Sequence, residues 1–306
     1  MTKNLTLNRF FRLSRFQFLP VIICPVILGT AIASYNGIST NWISLSLAII
    51  GSISLLLAAN IINDVHDYLN GVDEISNTMF PKDFQNAKIL PKGEISLTVA
   101  KKLAYVFYII GAIIGIYLAS IAGYAILVLG ISGTILSYIY VASPIKTDYR
   151  GYGLGELSIF FSFGPIPVLG AYYLQTSTID LLPILASIPI GILTTCILLN
   201  HDLIFYEPYK KGEKKSLTVV LGRQKTIKLS FGLSIFTYIY LTLLVVYDVL
   251  PFYSLITFIS LLLLLKLLKI YSIKKLNMEN YGNATSTSFL LSIIYCILLS
   301  ISFIII

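Results

Sequence analysis

The sequence has little charge, and this scarcity limits the kind of protein that it can encode. Asp, Glu, Lys and Arg make up only 12% of its 306 residues, whereas hydrophobic residues make up 57%. Apolar stretches of about twenty residues recur along the chain, each long enough to cross a hydrocarbon core of roughly 30 Å as a helix. The composition therefore excludes an ordinary soluble domain and predicts an all-α, polytopic membrane protein, with a single domain over residues 1–306.

Cysteine is also scarce, and a recognisable cleavage site is missing. Cys24, Cys196 and Cys296 lie in apolar segments without the spacing of a disulfide framework or a metal site, so they give no information on redox compartment. Basic residues precede the first apolar run, as they do in a signal peptide. Because that run lacks a small-residue cleavage site and continues for a full span, we interpret it as the first transmembrane helix.

Basic residues are absent from every second connection between the apolar runs. All 22 Lys and Arg residues lie in the N-terminal arm, in connections on the same side of the chain's predicted path, or in the parts of the spans that adjoin those connections. By the positive-inside rule this side is cytoplasmic, with the N-terminus inside and the C-terminus outside the cell membrane. Orientation accounts for the net charge of +8, so nucleic acid is not an expected partner, whereas membrane lipid headgroups and diphosphates are attracted to this face. The nine predicted spans are centred on residues 16–35, 42–69, 98–119, 123–142, 154–174, 181–203, 226–247, 252–272 and 286–305.

Polar residues interrupt the end of the second apolar run, where an ionised carboxylate is costly. On an ideal helix Asn60, Asp64 and Asp67 lie at i, i+4 and i+7 and therefore share one face. Asn70-Gly71 is typical of a helix end and would leave Asp73 on the following loop. A solvated helix end explains any single Asp at such a boundary. The whole stretch has the outline of a cation or phosphate site.

A second polar cluster follows the sixth apolar run on the same side. Asn200 and Asp202 end that run, Glu207 follows, and the lysines beyond them, Lys214 and Lys215, are expected to be solvated. Mg²⁺ prefers oxygen ligands and is commonly held by one or two carboxylates together with substrate phosphates. Two acidic clusters on one face, beside Lys and Arg, therefore predict a diphosphate site bridged by Mg²⁺. The candidate metal ligands are Asn60, Asp64, Asp67, Asp73, Asn200, Asp202 and Glu207.

The first motif has a recognisable family pattern. Its sequence, Asn63-Asp64-x-x-Asp67-x-x-x-Gly71-x-Asp73, resembles the first aspartate-rich motif of the UbiA-type membrane prenyltransferases. It is most similar to the menaquinone-type branch, the 1,4-dihydroxy-2-naphthoate polyprenyltransferases, in which the last Asp follows a Gly-x-Asp step. The resemblance extends from about residue 10 to residue 225. Further stretches that agree are Arg15 with residues 25–30, and residues 151–156, 163–175 and 216–222.

The resemblance implies a fold and a reaction. The expected fold is a ring of nine transmembrane helices around a central cavity that opens to lipid, with Mg²⁺ and an isoprenyl diphosphate held at the catalytic Asp64 and Asp67. Loss of the diphosphate gives an allylic cation that an electron-rich aromatic acceptor attacks, and Tyr68 and Tyr140 are candidates to contact the acceptor or stabilise the cation. The implied diphosphate contacts are Arg15, Lys88, Lys146 and Arg150.

The second motif departs from the family pattern. Where the family has an Asp, this chain has Ile204, and its carboxylates Asp202 and Glu207 are five residues apart. A continuous helix would turn Asp202 away from the face of Asn200, and the residue before Pro208 is biased away from helical geometry. Both carboxylates, one of them or neither could reach a metal. We favour Glu207 with help from Asn200.

Other acceptors and other functions are alternatives. Prenyl transfer to a glycerol ether lipid uses the same superfamily, but its first motif has Asp where this chain has Gly71. Transfer to a heme or chlorophyll precursor is a further alternative, whereas the Asp-Gly-x-x-Ala-Arg arrangement of a CDP-alcohol phosphotransferase is missing. A transporter would place its carboxylates nearer the membrane midplane. Ile204 also leaves open a degenerate, inactive paralogue.

Overall fold

The computed structural model describes residues 6–80 and 88–305, which form helices joined by loops. Two of the basic residues used for the orientation, Lys3 and Lys82, lie outside the described residues. Within these two ranges, the isolated parallel bridge between Arg150 and Lys215 is the only strand-like pairing. The predicted all-α fold class is therefore confirmed.

The described chain contains fourteen α-helices. Two 3₁₀ segments extend membrane-crossing helices at their beginnings, Phe16–Phe18 before α2 and Phe252–Ser260 before α13. In chain order the helices are α1 (Leu7–Ser14), α2 (Pro20–Tyr35), α3 (Trp42–Leu69), α4 (Val72–Met79), α5 (Leu97–Ala122), α6 (Ala125–Ile139), α7 (Leu154–Phe163), α8 (Pro165–Thr176), α9 (Leu181–Ile204), α10 (Tyr206–Lys211), α11 (Leu217–Leu221), α12 (Arg223–Val246), α13 (Leu261–Tyr271) and α14 (Met278–Ser302).

Eight segments of the described chain are long and apolar enough to cross a membrane. The ninth predicted span corresponds to α6, which is apolar but has only 15 residues. At 1.5 Å per residue α6 is about 22 Å long, which is shorter than a hydrocarbon core of roughly 30 Å. The prediction of nine spans is therefore confirmed for eight. These eight are Phe16–Tyr35, Trp42–Leu69, Leu97–Ala122, Leu154–Thr176, Leu181–Ile204, Arg223–Val246, Phe252–Tyr271 and Met278–Ser302.

The predicted span over residues 154–174 is divided into α7 and α8. The division falls at Gly164 and Pro165, because proline has no N–H to donate and begins α8 as its first residue. A Cβ on Gly164 would lie 2.8 Å from the backbone nitrogen of Gly191 in α9. The break and the absent side chain together let the α7–α8 junction contact α9 closely.

Helix α9 is enclosed by α2, α7, α8, α12 and α14. Its buried Ile190 and Leu193 belong to a core cluster with Leu28 of α2 and with Leu291 and Tyr295 of α14. Burial of large apolar side chains on several sides fixes the position of a helix strongly. The polar end of α9 is thereby held at the end of the bundle where α3 also finishes and α5 begins, which we call the site end.

The expectation of one central cavity is not confirmed. Two cavities in the described part of the chain lie on different faces of the last turns of α3. The first, the apolar cavity, has a volume of about 570 Å³ and is lined by α2, α3, α5, α6, α7 and α8. The second, the basic cavity, has a volume of about 980 Å³ and is lined by α1, the segment Phe16–Phe18, the end of α9 and α14.

Candidate functional site

The first motif is formed by the last turns of α3 and the first turn of α4. A continuous α3 carries Asp64 and Asp67 into the protein, where they are 5% and 1% exposed. Gly71 then adopts a φ of 77°, in the left-handed region that glycine enters without steric cost. Because this single turn leads directly into α4, Asp73 lies in the first turn of a helix, and its predicted place on a loop is wrong.

Asp64 and Asp73 share one lysine. The Lys88 ammonium lies 2.8 Å from Asp64 Oδ1 and 3.5 Å from Asp73 Oδ1. Arg15, in a left-handed conformation between α1 and the segment Phe16–Phe18, adds a guanidinium nitrogen 2.6 Å from Asp64 Oδ1. Burial raises the pKa of Asp73 to about 7, although the Lys88 charge opposes the rise. Arg15 and Lys88, which the family resemblance implies as diphosphate contacts, thus lie beside the first motif.

Asp67 is held by a lysine that was expected to be solvated. The Lys214 ammonium lies 3.1 Å from Asp67 Oδ2 and 2.7 Å from Asp148 Oδ2, and its side chain is only 2% exposed. It also faces the rings of Tyr209 and Tyr149, with centroids 4.4 and 5.1 Å away. The expectation for Lys214 was wrong because the chain after α10 folds back toward α3. Lys215 is exposed, as predicted.

Two further polar groups complete the surroundings of Asp67 and Asp148. The Tyr149 hydroxyl donates a hydrogen bond to Asp67 Oδ1 at 2.5 Å. Burial raises the pKa of Asp148 to about 6, while the adjacent Lys214 charge acts in the opposite direction. Tyr149 and Asp148 both come from the short helical turn Thr147–Tyr149, which follows α6 and brings the loop against the end of α3.

The Asn200 side chain forms hydrogen bonds within the helix bundle. Its amide nitrogen donates to the hydroxyls of Ser230 and Ser288, at 3.1 and 2.7 Å. Its amide oxygen accepts a hydrogen bond from the Tyr271 hydroxyl at 2.5 Å. These contacts tie α9 to α12, α13 and α14. Asn200 therefore has a structural set of partners, which its position in the sequence did not predict.

The two carboxylates of the second motif lie in different environments. Asp202 is 2% exposed, and the charges of Lys214 and Asp67 act on it. Glu207 lies on α10 with its side chain 46% exposed, and its Oε1 is 2.9 Å from a guanidinium nitrogen of Arg223. The structure thus brings Asp202 toward the first motif and does not bring Glu207 there. This geometry favours Asp202 over Glu207 as the carboxylate that this segment adds to the site.

The remaining predicted residues are distributed around this centre. Lys146 donates to Asn70 Oδ1 at 2.7 Å, and so lies at the end of α3. Arg150 is exposed and donates to the carbonyl oxygens of residues 144 and 145 instead of approaching the carboxylates. Tyr140 is buried and lines the apolar cavity. Tyr68 packs against the core cluster around Ile61 and Val65. It lines neither the apolar cavity nor the basic cavity.

Sequence reasoning missed two buried carboxylates, Asp148 and Glu156. Both lie in the Gly-rich stretch after the fourth run, and the signal was a pair of acidic residues beside an apolar helix start. In residues 6–80 and 88–305, three cations lie within 4 Å of the buried carboxylates, namely Arg15, Lys88 and Lys214. The buried carboxylates in the same ranges are Asp64, Asp67, Asp73, Asp148, Glu156 and Asp202. The centre therefore has more acidic than basic groups.

Several of these carboxylates have an oxygen available for a ligand. In the described ranges, buried carboxylate oxygens without a hydrogen-bond partner belong to Asp73, Asp148, Glu156 and Asp202. No group of three His, Cys, Asp or Glu side chains in these ranges is close enough to hold a metal ion alone. Mg²⁺ takes oxygen ligands and often uses one or two carboxylates with phosphate oxygens. The donor set thus fits a divalent metal shared with a phosphate ligand, and does not fit a closed protein cage.

The apolar cavity and the basic cavity both lie near the carboxylate centre, but the chemistry of their linings differs. Asn60, Asn63 and Tyr140 give the apolar cavity a polar end, and the Asn60 amide donates to the carbonyl of Ser14 at 2.9 Å. The other end is lined by apolar side chains of α3, α5, α6 and α8. The basic cavity is lined by Arg15, Lys88 and Asp64 together with aromatic rings. A molecule with a charged head and an apolar tail matches this junction.

The sequence matches a known family of membrane proteins. The model of the UbiA prenyltransferase family matches residues 22–300. The chain belongs to this family. Among curated relatives, a 1,4-dihydroxy-2-naphthoate octaprenyltransferase of Bacillus subtilis is 25% identical over 236 residues, which are 77% of this chain and 73% of that protein. The corresponding Escherichia coli enzyme is 27% identical, over 68% of this chain and 67% of its own length.

Solved structures of the UbiA family share the fold. The structure of a digeranylgeranylglyceryl phosphate synthase superposes with a TM-score of 0.62 at 17% identity, covering 98% of this chain and 99% of that one. A UbiA homologue from Archaeoglobus fulgidus bound to GPP and Mg²⁺ gives a TM-score of 0.61 at 17% identity, covering 92% and 97%. At such identities the likeness shows the fold of this prenyltransferase, and its site residues must be argued from its own geometry.

Proposed function

We propose that this prenyltransferase transfers a polyprenyl group from an isoprenyl diphosphate to an aromatic quinone precursor resembling 1,4-dihydroxy-2-naphthoate, with Mg²⁺ as cofactor. The observation that carries the proposal is the carboxylate centre at the junction of the two cavities. Six buried carboxylates in the described ranges are accompanied there by only three cations. A buried excess of negative charge is costly unless protons or divalent cations neutralise it.

The first motif would supply the principal metal ligands. We propose Asp64, Asp67 and Asp73 for this role, with Asp202 as the carboxylate from the second segment. Asn60 is a further ligand candidate, because it lies one helical turn before Asp64 on α3. Glu207 and Asn200 were the other sequence candidates, and they have Arg223 and the α12–α14 hydroxyls as partners. When bound, Mg²⁺ would neutralise part of the charge that develops on the departing diphosphate.

The basic residues would hold and stabilise the diphosphate. Arg15 and Lys88 already lie within 3 Å of Asp64, so a diphosphate bound beside that carboxylate would be within their reach. Fixed positive groups stabilise negative charge as it develops on a leaving group, at no cost of reorganisation. Lys146 is a candidate for the outer phosphate through its position beside Asn70. Arg150 is the weakest of the four predicted contacts because it bonds to backbone carbonyls.

The cavities would separate the two substrates. We propose that the isoprenyl chain lies in the apolar cavity, where exclusion of water protects the allylic cation. Tyr140 lines the polar end of that cavity, and its ring face would stabilise the cation electrostatically. The basic cavity combines Arg15 and Lys88 with the rings of Phe18 and Phe289, which meet edge to face at 5.4 Å. Such a surface suits a flat, anionic aromatic acceptor.

The orientation belongs to the same proposal. We propose that the site end is cytoplasmic, because the basic loops lie there and the positive-inside rule assigns them to the cytoplasm. The C-terminus would then be outside, with α6 completing a set of nine crossings around the site. The orientation is assigned from the distribution of Lys and Arg alone. Labelling of single introduced cysteines from either side of the membrane would test it.

The experiment for the acceptor is a transfer assay with a panel. Purified protein would be incubated with geranylgeranyl diphosphate, Mg²⁺ and one of three acceptors: 1,4-dihydroxy-2-naphthoate, a glycerol ether phosphate or a porphyrin precursor. The products would be identified by mass spectrometry. The proposal expects a prenylated product with the dihydroxynaphthoate. Product only with the glycerol or porphyrin acceptor would redirect the assignment within the family. No product with any acceptor, together with no diphosphate binding, would contradict it.

A further inference from the structure

Several of the residues that line the apolar cavity are glycines, which have no side chain to fill it. A Cβ added at Gly115 or Gly130 would meet no atom within 4 Å, and one at Gly133 would reach only Ile166 at 3.7 Å. None of these three has a positive φ, so their backbone does not require glycine. Glycine inside a helix costs about 0.5–1 kcal/mol relative to Ala. The glycines that line the cavity are Gly51, Gly111, Gly115, Gly130, Gly133 and Gly170.

The three unobstructed glycines lie at two depths in the apolar cavity. Helix α6 approaches the site end at Tyr140, so Gly133 and Gly130 lie about 10 and 15 Å from that residue along the helix, at 1.5 Å per residue. On α5, which begins at the site end, the Tyr108 hydroxyl lies 3.1 Å from Ser137 Oγ of α6. Because the two helices run in opposite directions, Gly115, seven residues beyond Tyr108, lies at about the depth of Gly130, seven residues before Ser137.

The occupant of this space can be argued from its two ends. The site end is polar and adjoins the carboxylate centre through Asn60 and Asn63, whereas the walls beyond are apolar. A molecule that fills the space must therefore have a charged head at the centre and a long, flexible hydrocarbon tail. An isoprenyl diphosphate has this chemistry, and a membrane lipid with its headgroup elsewhere does not need the polar end.

We propose that Gly133, and beyond it Gly130 and Gly115 at one greater depth, set the length of isoprenyl chain that the enzyme accepts in the apolar cavity. The inference rests on the proposed function, since it requires an isoprenyl diphosphate as substrate. A short chain passes only Gly133, and a longer one also passes Gly130 and Gly115. A side chain introduced at one of these positions would exclude every chain that extends beyond it.

The test compares single Leu substitutions by their selectivity among geranyl, farnesyl and geranylgeranyl diphosphates. Gly133→Leu should lower kcat/KM for the two longer substrates relative to geranyl diphosphate, by about 10- to 200-fold, because a pocket that loses room for a methylene group loses that much. Gly130→Leu and Gly115→Leu, at the same depth on facing helices, should both act chiefly on geranylgeranyl diphosphate. Gly232→Leu in α12 is the matched control, since a Cβ there also meets nothing within 4 Å and the residue does not line the cavity.

The outcomes separate the inference from the proposed function. Equal selectivity in the wild type, the control and all three variants would overturn the inference, and would indicate that lipid or nothing fills the cavity during turnover. Where a Leu variant does not elute as a folded monodisperse protein, the Ala variant at that position must shift selectivity in the same direction, and an unchanged ratio there also overturns the inference. Absence of transfer by the wild type with every diphosphate would overturn the proposed function itself.

Discussion

Individual side chains at the site end explain how a membrane protein keeps carboxylates out of water. Asp64 is neutralised by Arg15 and Lys88, and Asp67 by Lys214, at distances of 2.6–3.1 Å. Such pairing offsets the desolvation of both charges only when each partner is present. Asp148 shares Lys214 and Asp73 shares Lys88, whereas Glu156 and Asp202 have no Lys or Arg partner among the ion pairs of the described ranges and are less fully compensated.

Lys214 is expected to be essential for the stability of this centre. Lys214→Met leaves Asp67 and Asp148 buried without their ammonium partner, and removal of one member of a buried pair costs about 3–5 kcal/mol. The measurement is the thermal unfolding midpoint in detergent, with Lys215→Met as the control because Lys215 is exposed. Equal midpoints for the two variants would show that Lys214 is not the compensating charge.

Asp202 and Glu207 are expected to differ in function. Asp202→Asn should reduce Mg²⁺-dependent transfer by about 10- to 100-fold, the usual range when a group near a metal is changed. Glu207→Gln should change the rate by no more than about twofold, because the half-exposed Glu207–Arg223 pair is of the kind that contributes little. Steady-state rates at saturating diphosphate would decide. A severe loss in Glu207→Gln with normal activity in Asp202→Asn would reverse the assignment.

Mg²⁺ binding is expected to depend on pH through Asp73. Burial raises its pKa from 3.8 to about 7, so below that pH its carboxyl keeps a proton that a metal must displace. Mg²⁺ affinity should therefore rise as the pH increases through about 7, with proton release detectable by calorimetry in buffers of different ionisation heat. Asp73→Asn should weaken this dependence, and Asp248→Asn, at an exposed position in the α12–α13 loop, should leave it intact. A pH-independent affinity in the wild type would contradict the assignment.

The sequence predicted some of these residues and not others, for a physical reason. Asp64 and Asp67 could be assigned because their spacing along one helix determines their common face. Lys214 could not, because its burial depends on a chain reversal after α10 that brings it against α3. Asn200 was assigned from its motif position, but its partners Ser230 and Ser288 belong to helices far along the chain.

Among the helices, the contact between α2 and α8 is the tightest that the glycines report. A Cβ on Gly29 would lie 2.1 Å from the carbonyl oxygen of Val168, so Gly29→Ala must push the two helices apart. Overpacking of this kind typically costs about 1–3 kcal/mol. The thermal unfolding midpoint should fall for Gly29→Ala and should not fall for Gly232→Ala, where the added methyl meets no atom within 4 Å. Equal midpoints would show that this helix contact yields without cost.

Helix positions were more predictable than helix ends. The apolar runs located eight crossings because length and hydropathy are local properties. Gly71 was correctly identified as a helix terminator, but whether a new helix follows at once depends on the packing of α4 against α10, which the local sequence does not contain. The break between α7 and α8 likewise reflects contact between Gly164 and Gly191 in a distant segment.

At the scale of the whole molecule, an apolar cavity of about 570 Å³ and a basic cavity of about 980 Å³ lie on either side of the last turns of α3, which carry the first motif. Under the proposed function, this arrangement would place a hydrocarbon tail, a diphosphate and an acceptor near the same residues. The fold of the UbiA family supplies the scaffold, and the particular charges supply the chemistry. The central claim is that the carboxylates act through a divalent metal on a diphosphate.

The most direct test measures prenyl transfer as a function of Mg²⁺ in the wild type, in Asp67→Asn and in the control Asp248→Asn. The account predicts that product from geranylgeranyl diphosphate and 1,4-dihydroxy-2-naphthoate forms only when Mg²⁺ is present. It also predicts that Asp67→Asn lowers the rate by about 100-fold or more, in the range found when a group that stabilises developing charge is removed, and that the control keeps the wild-type rate. Transfer that persists in a chelator, or an Asp67→Asn variant with the wild-type Mg²⁺ dependence, would contradict it.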